Sequence, residues 1–304
     1  MNFICFACFS LCFSICFFKR KIHNFVFSKS KRTCLDKKIT ESGEKQMRPS
    51  FLKLPRPIVT CILCEKTVER AVATIKNAEF DGAPAFAIHL EPWTLDMLNN
   101  ENFRRVAQAS TKPIMFLRYR GTEKWPLPLS DEERVEMLMR TVECGAACVD
   151  FTADTFDPSP LEFTIKPEAV DRQKRAIDRV HQMGAEVVMS SHIYEPRTCE
   201  QVLEHMKAVE SRGPDFAKIV TMANTEEEFT EAITTTLALR REMKVPFIHL
   251  VGGRFALPHR YLSPSLGNAL TFCVHQYTED YVTVQPPMKN MVSILNNYNW
   301  HIDR

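Results

Sequence analysis

The chain has 304 residues, of which 45% are hydrophobic and 25% are charged, and its formal net charge is +2. This composition is typical of a globular protein and excludes both a disordered chain and a fibre. The charge is uneven, because residues 19–46 hold nine Lys/Arg against three Asp/Glu, or +6, which leaves −4 for residues 47–304. A mildly acidic main body has no basic surface for DNA or RNA, so no nucleic-acid partner is expected.

The first 46 residues differ in character from the rest of the chain. They begin with an apolar run, MNFICFACFSLCFSICFF, followed at once by KRK and then by a Lys/Ser-rich stretch that ends at Gln46. The run is marginal in length for a membrane helix, and it lacks the leading charge and the cleavage site of a signal peptide. We interpret residues 1–46 as a disordered extension, either a weak membrane anchor or a dispensable segment. Residues 47–304 are predicted to form one cytoplasmic domain, which contacts a membrane only if the extension is an anchor.

From Pro57 onward, short apolar runs rich in β-formers alternate with longer segments whose apolar residues recur at helical spacing. The eight predicted strands are IVTCIL (58–63), AFAIHL (85–90), IMFLRY (114–119), CVDFTA (148–153), EVVMSS (186–191), AKIVTM (217–222), FIHLV (247–251) and ALTFCV (269–274). Three helices are predicted to begin at capping boxes. These boxes are Ser130 with Glu133, Thr198 with Gln201, and Thr225 with Glu228.

Eight strand–helix units in about 250 residues predict an α/β fold of the (β/α)8 TIM-barrel class. The strands of such a barrel are buried on both faces, which explains their nearly continuous apolar runs. A doubly wound open sheet is the alternative, but no glycine-rich phosphate motif follows the first strand.

Lys218 stands in an otherwise apolar strand, DFAKIVTMAN. His192 directly follows the fifth strand, and Arg260 lies between the seventh and eighth strands, so a barrel brings all three to its catalytic end. A lysine held neutral in an apolar pocket attacks carbonyl carbons to form an imine, and a nearby histidine can then remove the adjacent proton. A lysine in a salt bridge and a histidine that caps a helix are the structural alternative.

Three stretches resemble the principal motifs of the type I 3-dehydroquinate dehydratases. They are VVMSSHIYEPRTCEQV (187–202), PDFAKIVTMANTEEEF (214–229) and PFIHLVGGRFALPHRYLSPSLGNALTF (246–272). With the strand order, the resemblance covers residues 57–297. It implies a shikimate-pathway or quinate-degrading lyase that converts 3-dehydroquinate to 3-dehydroshikimate without a cofactor or a metal. We also expect a homodimer and a small-molecule substrate, a cyclic hydroxy ketone carboxylate.

The resemblance also implies roles for individual residues. Lys218 would form the imine with the substrate ketone, and His192 would act as general base and acid. Arg260 would bind the substrate carboxylate, since a planar guanidinium offers two donors. Gln285, in YVTVQPP, stands at the position of a substrate-binding glutamine.

The first half of the barrel departs from the family pattern. On the second strand the family has Glu-x-Arg-x-Asp, where this chain has Ala87, His89 and Glu91, so His89 is expected to contact a different group of the substrate. The third strand is expected to end in a substrate-binding arginine, and both Arg118 and Arg120 fit this role on one face of an extended strand.

The residue that orients His192 is also uncertain in identity. The family has an acidic residue on the fourth strand where this chain has Thr152, and Asp154 follows on the same face. We expect Asp154 or Thr152 to orient the imidazole, because the partner of one ring nitrogen fixes the tautomer. The changed positions leave two alternatives open: a lyase acting on a related cyclic hydroxy ketone, and a catalytically impaired barrel with a binding role.

Overall fold

The computed structural model describes residues 48–121, 124–125, 127, 129–278, 284–298 and 300–303. The apolar and basic segment predicted to be an extension lies outside these residues. The domain boundary after residue 46 and the homodimer therefore stay predictions. Within the described part of the chain, no helix combines the length and the apolar character needed to span a membrane.

Across the described residues, eight parallel strands form one sheet in the order β7-β6-β5-β4-β3-β2-β1-β8. They are β1 Ile58–Leu63, β2 Ala85–His89, β3 Ile114–Leu117, β4 Cys148–Thr152, β5 Glu186–His192, β6 Phe216–Met222, β7 Phe247–Gly252 and β8 Leu270–Cys273. The strand positions and the (β/α)8 fold predicted from the sequence are confirmed. The largest boundary error is at β3, which ends at Leu117, two residues earlier than predicted.

The helices alternate with the strands. They are α1 Val68–Phe80, α2 Asn100–Ala107, α3 Asp131–Glu143, α4 Pro167–Gln182, α5 Cys199–Glu210, α6 Glu226–Glu242, α7 Ala256–Leu262 and α8 Met288–Tyr298, with a 3₁₀ turn at Ser263–Leu266. All three predicted capping boxes are present, at the starts of α3, α5 and α6. In each box the Ser or Thr hydroxyl and the Glu or Gln side chain satisfy backbone N–H groups that the helix leaves unpaired.

Alternate residues of each strand face the barrel interior or the layer beneath the helices. On β6, Phe216 packs inside the barrel while Ala217 and Ile219 join the outer layer. Lys218 has the same parity as Phe216, so its side chain is directed inward and not toward the helices. This alternation explains how an ammonium group fits into a strand with apolar neighbours.

The outer layer includes a cluster of aromatic rings beneath the first helices. Phe103 is fully buried, and its ring centroid lies 6.3 Å from those of both Trp93 and Phe116. Such clusters fix the helices against the sheet by burying large apolar areas.

The seam of the barrel lies between β7 and β8. Here the Ala269 N–H donates to the Phe247 carbonyl at 2.9 Å, and the His249 N–H donates to the Asn268 side-chain oxygen at 2.8 Å. A side chain thus supplies one of the hydrogen bonds that close the cylinder.

Candidate active site

A cavity of 610 Å³ opens at the carboxyl ends of the strands. Six of the residues selected from the sequence line it, namely His89, Arg120, His192, Lys218, Arg260 and Gln285. The barrel therefore brings together side chains that are almost 200 residues apart in the chain, at the end where active sites of this fold occur.

Lys218 is 4% exposed and has defined partners. Its Nζ lies 2.6 Å from the Tyr119 hydroxyl and 3.1 Å from Asp150 Oδ2. The ammonium also lies 5.1 Å from the centroid of the Tyr119 ring and 5.2 Å from that of Phe272. The lysine therefore does pair with an acid, as the structural alternative requires, and it also faces the cavity. The structure adds a carboxylate to the apolar pocket expected from the sequence.

Asp150 is 1% exposed and lies on β4, on the interior face of the barrel. Its Oδ1 accepts a hydrogen bond from the Ser190 hydroxyl at 2.6 Å, and its Oδ2 accepts one from the Tyr119 hydroxyl at 2.8 Å. With Lys218, these donors satisfy both oxygens of a carboxylate that would be costly to bury alone.

Tyr119 follows β3 and was not selected from the sequence. The buried Glu91 accepts the Tyr119 backbone N–H at 2.7 Å, and the Tyr119 ring packs edge-on to the His192 ring with centroids 4.5 Å apart. Burial, followed by the Asp150 carboxylate, raises the pKa of Tyr119 well above its ordinary value. The hydroxyl is therefore protonated, so it accepts from Lys218 and donates to Asp150.

His192 is oriented by Glu162, which lies in the connection between β4 and α4. Glu162 Oε2 lies 2.7 Å from His192 Nδ1 and accepts the His192 backbone N–H at 2.9 Å. Burial opposes the charged carboxylate, but the hydrogen bond and the charge of His192 hold the pKa of Glu162 below its ordinary value. An ionised Glu162 can only accept, so Nδ1 carries the proton and Nε2 keeps its lone pair.

The backbone around Glu162 is unusual. Its φ of 45° is in the left-handed region, which non-glycine residues rarely adopt. Its carbonyl accepts from the Ser191 hydroxyl at 2.9 Å, and Arg212 donates to the carbonyls of Ala153 and Thr164 on either side of the connection. These contacts hold a strained residue in the position from which its carboxylate reaches His192.

The expectation that Asp154 or Thr152 orients His192 is wrong. The two Asp154 carboxylate oxygens lie 2.7 Å from Arg120 Nη1, and the Thr152 hydroxyl pairs with that of Thr155 at 3.1 Å. β4 ends at Thr152, so the strand periodicity from which Asp154 was placed does not reach it.

The two candidate arginines of the third strand are separated in the same way. Because β3 ends at Leu117, Arg118 and Arg120 do not share a strand face, and the expectation that they do is wrong. Arg118 is buried and donates to the carbonyls of Leu90 and Leu127, whereas Arg120 lines the cavity. Arg120 is also bound to two carboxylates, Asp131 and Asp154.

The second strand contributes His89 and Glu91 to the cavity wall. His89 Nδ1 lies 3.0 Å from Glu91 Oε2, while the other Glu91 oxygen holds Tyr119. Ala87 packs in the barrel interior. This strand therefore offers an imidazole and a carboxylate where the family pattern has a longer set of charged groups.

Arg260 and Gln285 form one wall together. Arg260 lies in α7, within the connection between β7 and β8, and is 4% exposed. Its Nη1 donates to Gln285 Oε1 at 2.7 Å and its Nε donates to the Val251 carbonyl at 3.2 Å. These bonds fix the plane of the guanidinium at the edge of the cavity.

Two further histidines, one on β7 and one on α7, are buried in the structure. His249 and His259 are 1% and 0% exposed, and both bond to the Thr236 hydroxyl. Burial lowers the pKa of His249 to about 3 and that of His259 well below its ordinary value. Both rings are therefore neutral structural groups.

Comparison with known proteins is consistent with this geometry. The family model for type I 3-dehydroquinase matches residues 59–299. A 3-dehydroquinate dehydratase of Geobacillus thermodenitrificans is 24% identical over 224 residues, which are 69% of this chain and 82% of that protein. One from Aromatoleum aromaticum is 22% identical over 246 residues, covering 77% and 88%.

Solved structures support the same fold. The crystal structure of 3-dehydroquinate dehydratase from Geobacillus kaustophilus superimposes with a TM-score of 0.66 at 19% identity, and covers 80% of this chain and 92% of that chain. The type I enzyme from Clostridium difficile, crystallised with covalently modified comenic acid, has the same TM-score at 15% identity, over 80% and 92%.

Proposed function

Because this chain belongs to the type I 3-dehydroquinase family, we propose that it dehydrates 3-dehydroquinate to 3-dehydroshikimate through an imine on Lys218. The observation that carries the proposal is that Lys218 and His192 line one cavity and that the Tyr119 ring contacts both. An amine and an oriented base are the two groups that this elimination needs.

The first stage is formation of the iminium. The Lys218 nitrogen bonds to the ketone carbon, and the ketone oxygen leaves as water with two protons from the resting ammonium. The positive charge then lies on the C=N group. It withdraws electrons from the neighbouring carbon and makes the C–H bonds there more acidic.

The second stage is elimination, and it belongs to His192. Its Nε2 takes a proton from the carbon next to the iminium, which gives an enamine. The enamine expels the β-hydroxyl, which receives the same proton from the imidazolium and leaves as water. Hydrolysis of the conjugated iminium releases the enone and restores the amine. The imidazole starts and ends the cycle neutral at Nε2.

Substrate binding is assigned to the remaining cavity groups. Arg260, supported by Gln285, holds the carboxylate with two parallel donors. His89 lines the cavity and is assigned to the ring hydroxyls, and Arg120 reaches them only by giving up a hydrogen bond to Asp131 or Asp154. Since Ala87 offers no polar group, the hydroxyl contacts are fewer than the family pattern supplies. This single observation favours a second candidate, a related cyclic hydroxy ketone with fewer hydroxyls on that side.

The experiment is borohydride reduction of residues 47–304 in the presence of 3-dehydroquinate, with the ultraviolet absorbance of the enone product followed in parallel. We expect a mass increase at Lys218 and growth of the enone band, and K218M is expected to abolish both. An enone band with no adduct would refute the imine. An adduct with related hydroxy ketones but none with 3-dehydroquinate would favour the second candidate.

A further inference from the structure

We propose that Tyr119 is a catalytic residue, the proton relay that forms and hydrolyses the Lys218 imine. The inference rests on the proposed function and adds a separate group for the steps at nitrogen. Its hydroxyl lies 2.6 Å from the reacting Nζ and 2.8 Å from Asp150 Oδ2, so it sits between the amine and a fixed carboxylate.

The relay answers a geometric need of the reaction. Iminium formation moves two protons from nitrogen to oxygen: one as the N–C bond forms, and one as the C–O bond breaks. The two atoms are attached to the same carbon in the intermediate, so a direct transfer between them is badly angled. A hydroxyl in hydrogen-bond contact with the nitrogen can accept a proton from it and donate its own to the neighbouring oxygen.

The proton and electron balance closes without another reactant. In the first transfer Tyr119 turns its O–H from Asp150 to the ketone oxygen and gives up that proton, the Lys218 ammonium passes a proton to Tyr119, and the nitrogen lone pair freed in this way attacks the ketone carbon. In the second, Tyr119 protonates the new hydroxyl, the C–O bond breaks, and the nitrogen gives up its second proton to Tyr119. Water leaves and the nitrogen keeps one hydrogen in the C=N–H group. Asp150 accepts a hydrogen bond throughout and stabilises the positive nitrogen.

The surroundings hold Tyr119 for this task. Glu91 accepts the Tyr119 backbone N–H at 2.7 Å, and the phenol ring makes a T-shaped contact with the His192 ring. Ser190 holds the other oxygen of Asp150 at 2.6 Å, which directs Oδ2 to the phenol. Contacts to the Tyr119 backbone, to its ring and to Asp150 hold the phenol in place. Little conformational entropy of the side chain is therefore lost when the reaction takes place.

Tyr119 and His192 therefore divide the chemistry. The phenol serves the nitrogen and the oxygen that departs from the ketone carbon. The imidazole serves the carbon proton and the second hydroxyl. Removal of the phenol hydroxyl should slow imine formation while leaving Glu162 and the His192 tautomer untouched.

The test is rapid-quench borohydride trapping with 3-dehydroquinate in the wild type, Y119F and the matched control Y298F, whose tyrosine is exposed on the last helix. Positioned acid–base groups contribute about 10²-fold or more. We therefore expect the trapping rate to fall about 100-fold or more in Y119F and to be unchanged in Y298F. With substrate deuterated at the carbon that loses its proton, the isotope effect on turnover should shrink toward 1 in Y119F, because imine formation then limits the rate.

The possible failures are distinguishable. If the wild type forms no adduct, the proposed function is wrong and the relay falls with it. If Y119F is trapped as fast as the wild type, the relay is wrong while the proposed function stands. If Y119F does not fold, the relay can be tested instead by incorporating 3,5-difluorotyrosine at position 119. This more acidic phenol should shift the pH profile of trapping to lower pH, and an unmoved profile would overturn the proposal.

Discussion

Replacement of Glu162 by glutamine tests the assignment of His192 most directly. The carboxylate accepts two hydrogen bonds, at 2.7 Å from Nδ1 and at 2.9 Å from the His192 backbone N–H. Both bonds end on the same oxygen, Oε2, so a glutamine of nearly the same shape puts either its oxygen or its NH₂ group there. With the NH₂ group there, the backbone N–H loses its acceptor and the tautomer protonated on Nε2, which cannot act as a base, is favoured. With the oxygen there, the tautomer is kept but the negative charge that stabilises the imidazolium is lost.

The size of the effect follows from the loss of a base that is both correctly oriented and stabilised by a carboxylate. General acid–base catalysis contributes about 10²–10⁴-fold, and a wrongly oriented base loses most of that. At roughly 1.4 kcal/mol for each factor of ten, E162Q should lose about 3 to 5 kcal/mol of transition-state stabilisation. The loss should lie in kcat, because Glu162 holds the base and not the substrate.

The assay combines enone absorbance with the yield of borohydride adduct at Lys218. We expect E162Q to retain the adduct, since imine formation uses Lys218, while kcat falls at least about 100-fold. The control is E200Q, which neutralises an exposed glutamate in the first turn of α5. A kcat for E162Q within about threefold of the E200Q value would show that the orientation of His192 does not depend on this carboxylate.

Three further outcomes follow from the structure. Burial lowers the pKa values of His205 and His249 to about 3, and that of His259 well below its ordinary value. Since only the unfolded chain then binds protons at these rings, the free energy of unfolding should fall by up to about 2 kcal/mol per histidine as the pH drops from 7 to 5. A urea midpoint that does not change with pH would contradict this. R260K should raise KM for 3-dehydroquinate about 10-fold or more, because lysine loses the paired donors, with an unchanged KM arguing against carboxylate binding there. F103A should lower the free energy of unfolding by about 3 to 5 kcal/mol, and a loss under 1 kcal/mol would mean that the aromatic cluster collapses around the gap.

The fold was predictable from the sequence because each level of pattern indicated the same result. The apolar runs located all eight strands, and the capping boxes at Ser130, Thr198 and Thr225 located three helix starts, since both signals are local. The ends of β3 and β4 were harder to predict from the sequence. They depend on contacts between residues that are distant in the chain, such as the hydrogen bond from Arg118 to the Leu90 carbonyl.

The site residues could be predicted from the sequence only where they lie on or directly after a strand. Lys218 and His192 follow from their places on β6 and β5, and their catalytic roles stay proposals. Glu162 lies in an irregular connection and depends on a left-handed φ, which no periodic pattern signals. Tyr119 continues the inward alternation of Met115 and Leu117 just beyond the end of β3, so strand periodicity carries a signal for its direction, although not for its contact with Lys218.

The seam between β7 and β8 has a consequence for how substrate is held. Elsewhere in the barrel, neighbouring strands are joined by backbone hydrogen bonds. At the join between β7 and β8, the side-chain oxygen of Asn268 accepts one of the hydrogen bonds. Arg260 lies in the segment that spans the join, and Gln285 follows β8 beyond it. If this pair binds the substrate carboxylate as proposed, the bound substrate links the segments on the two sides of the join and should stiffen the wall that recognises it.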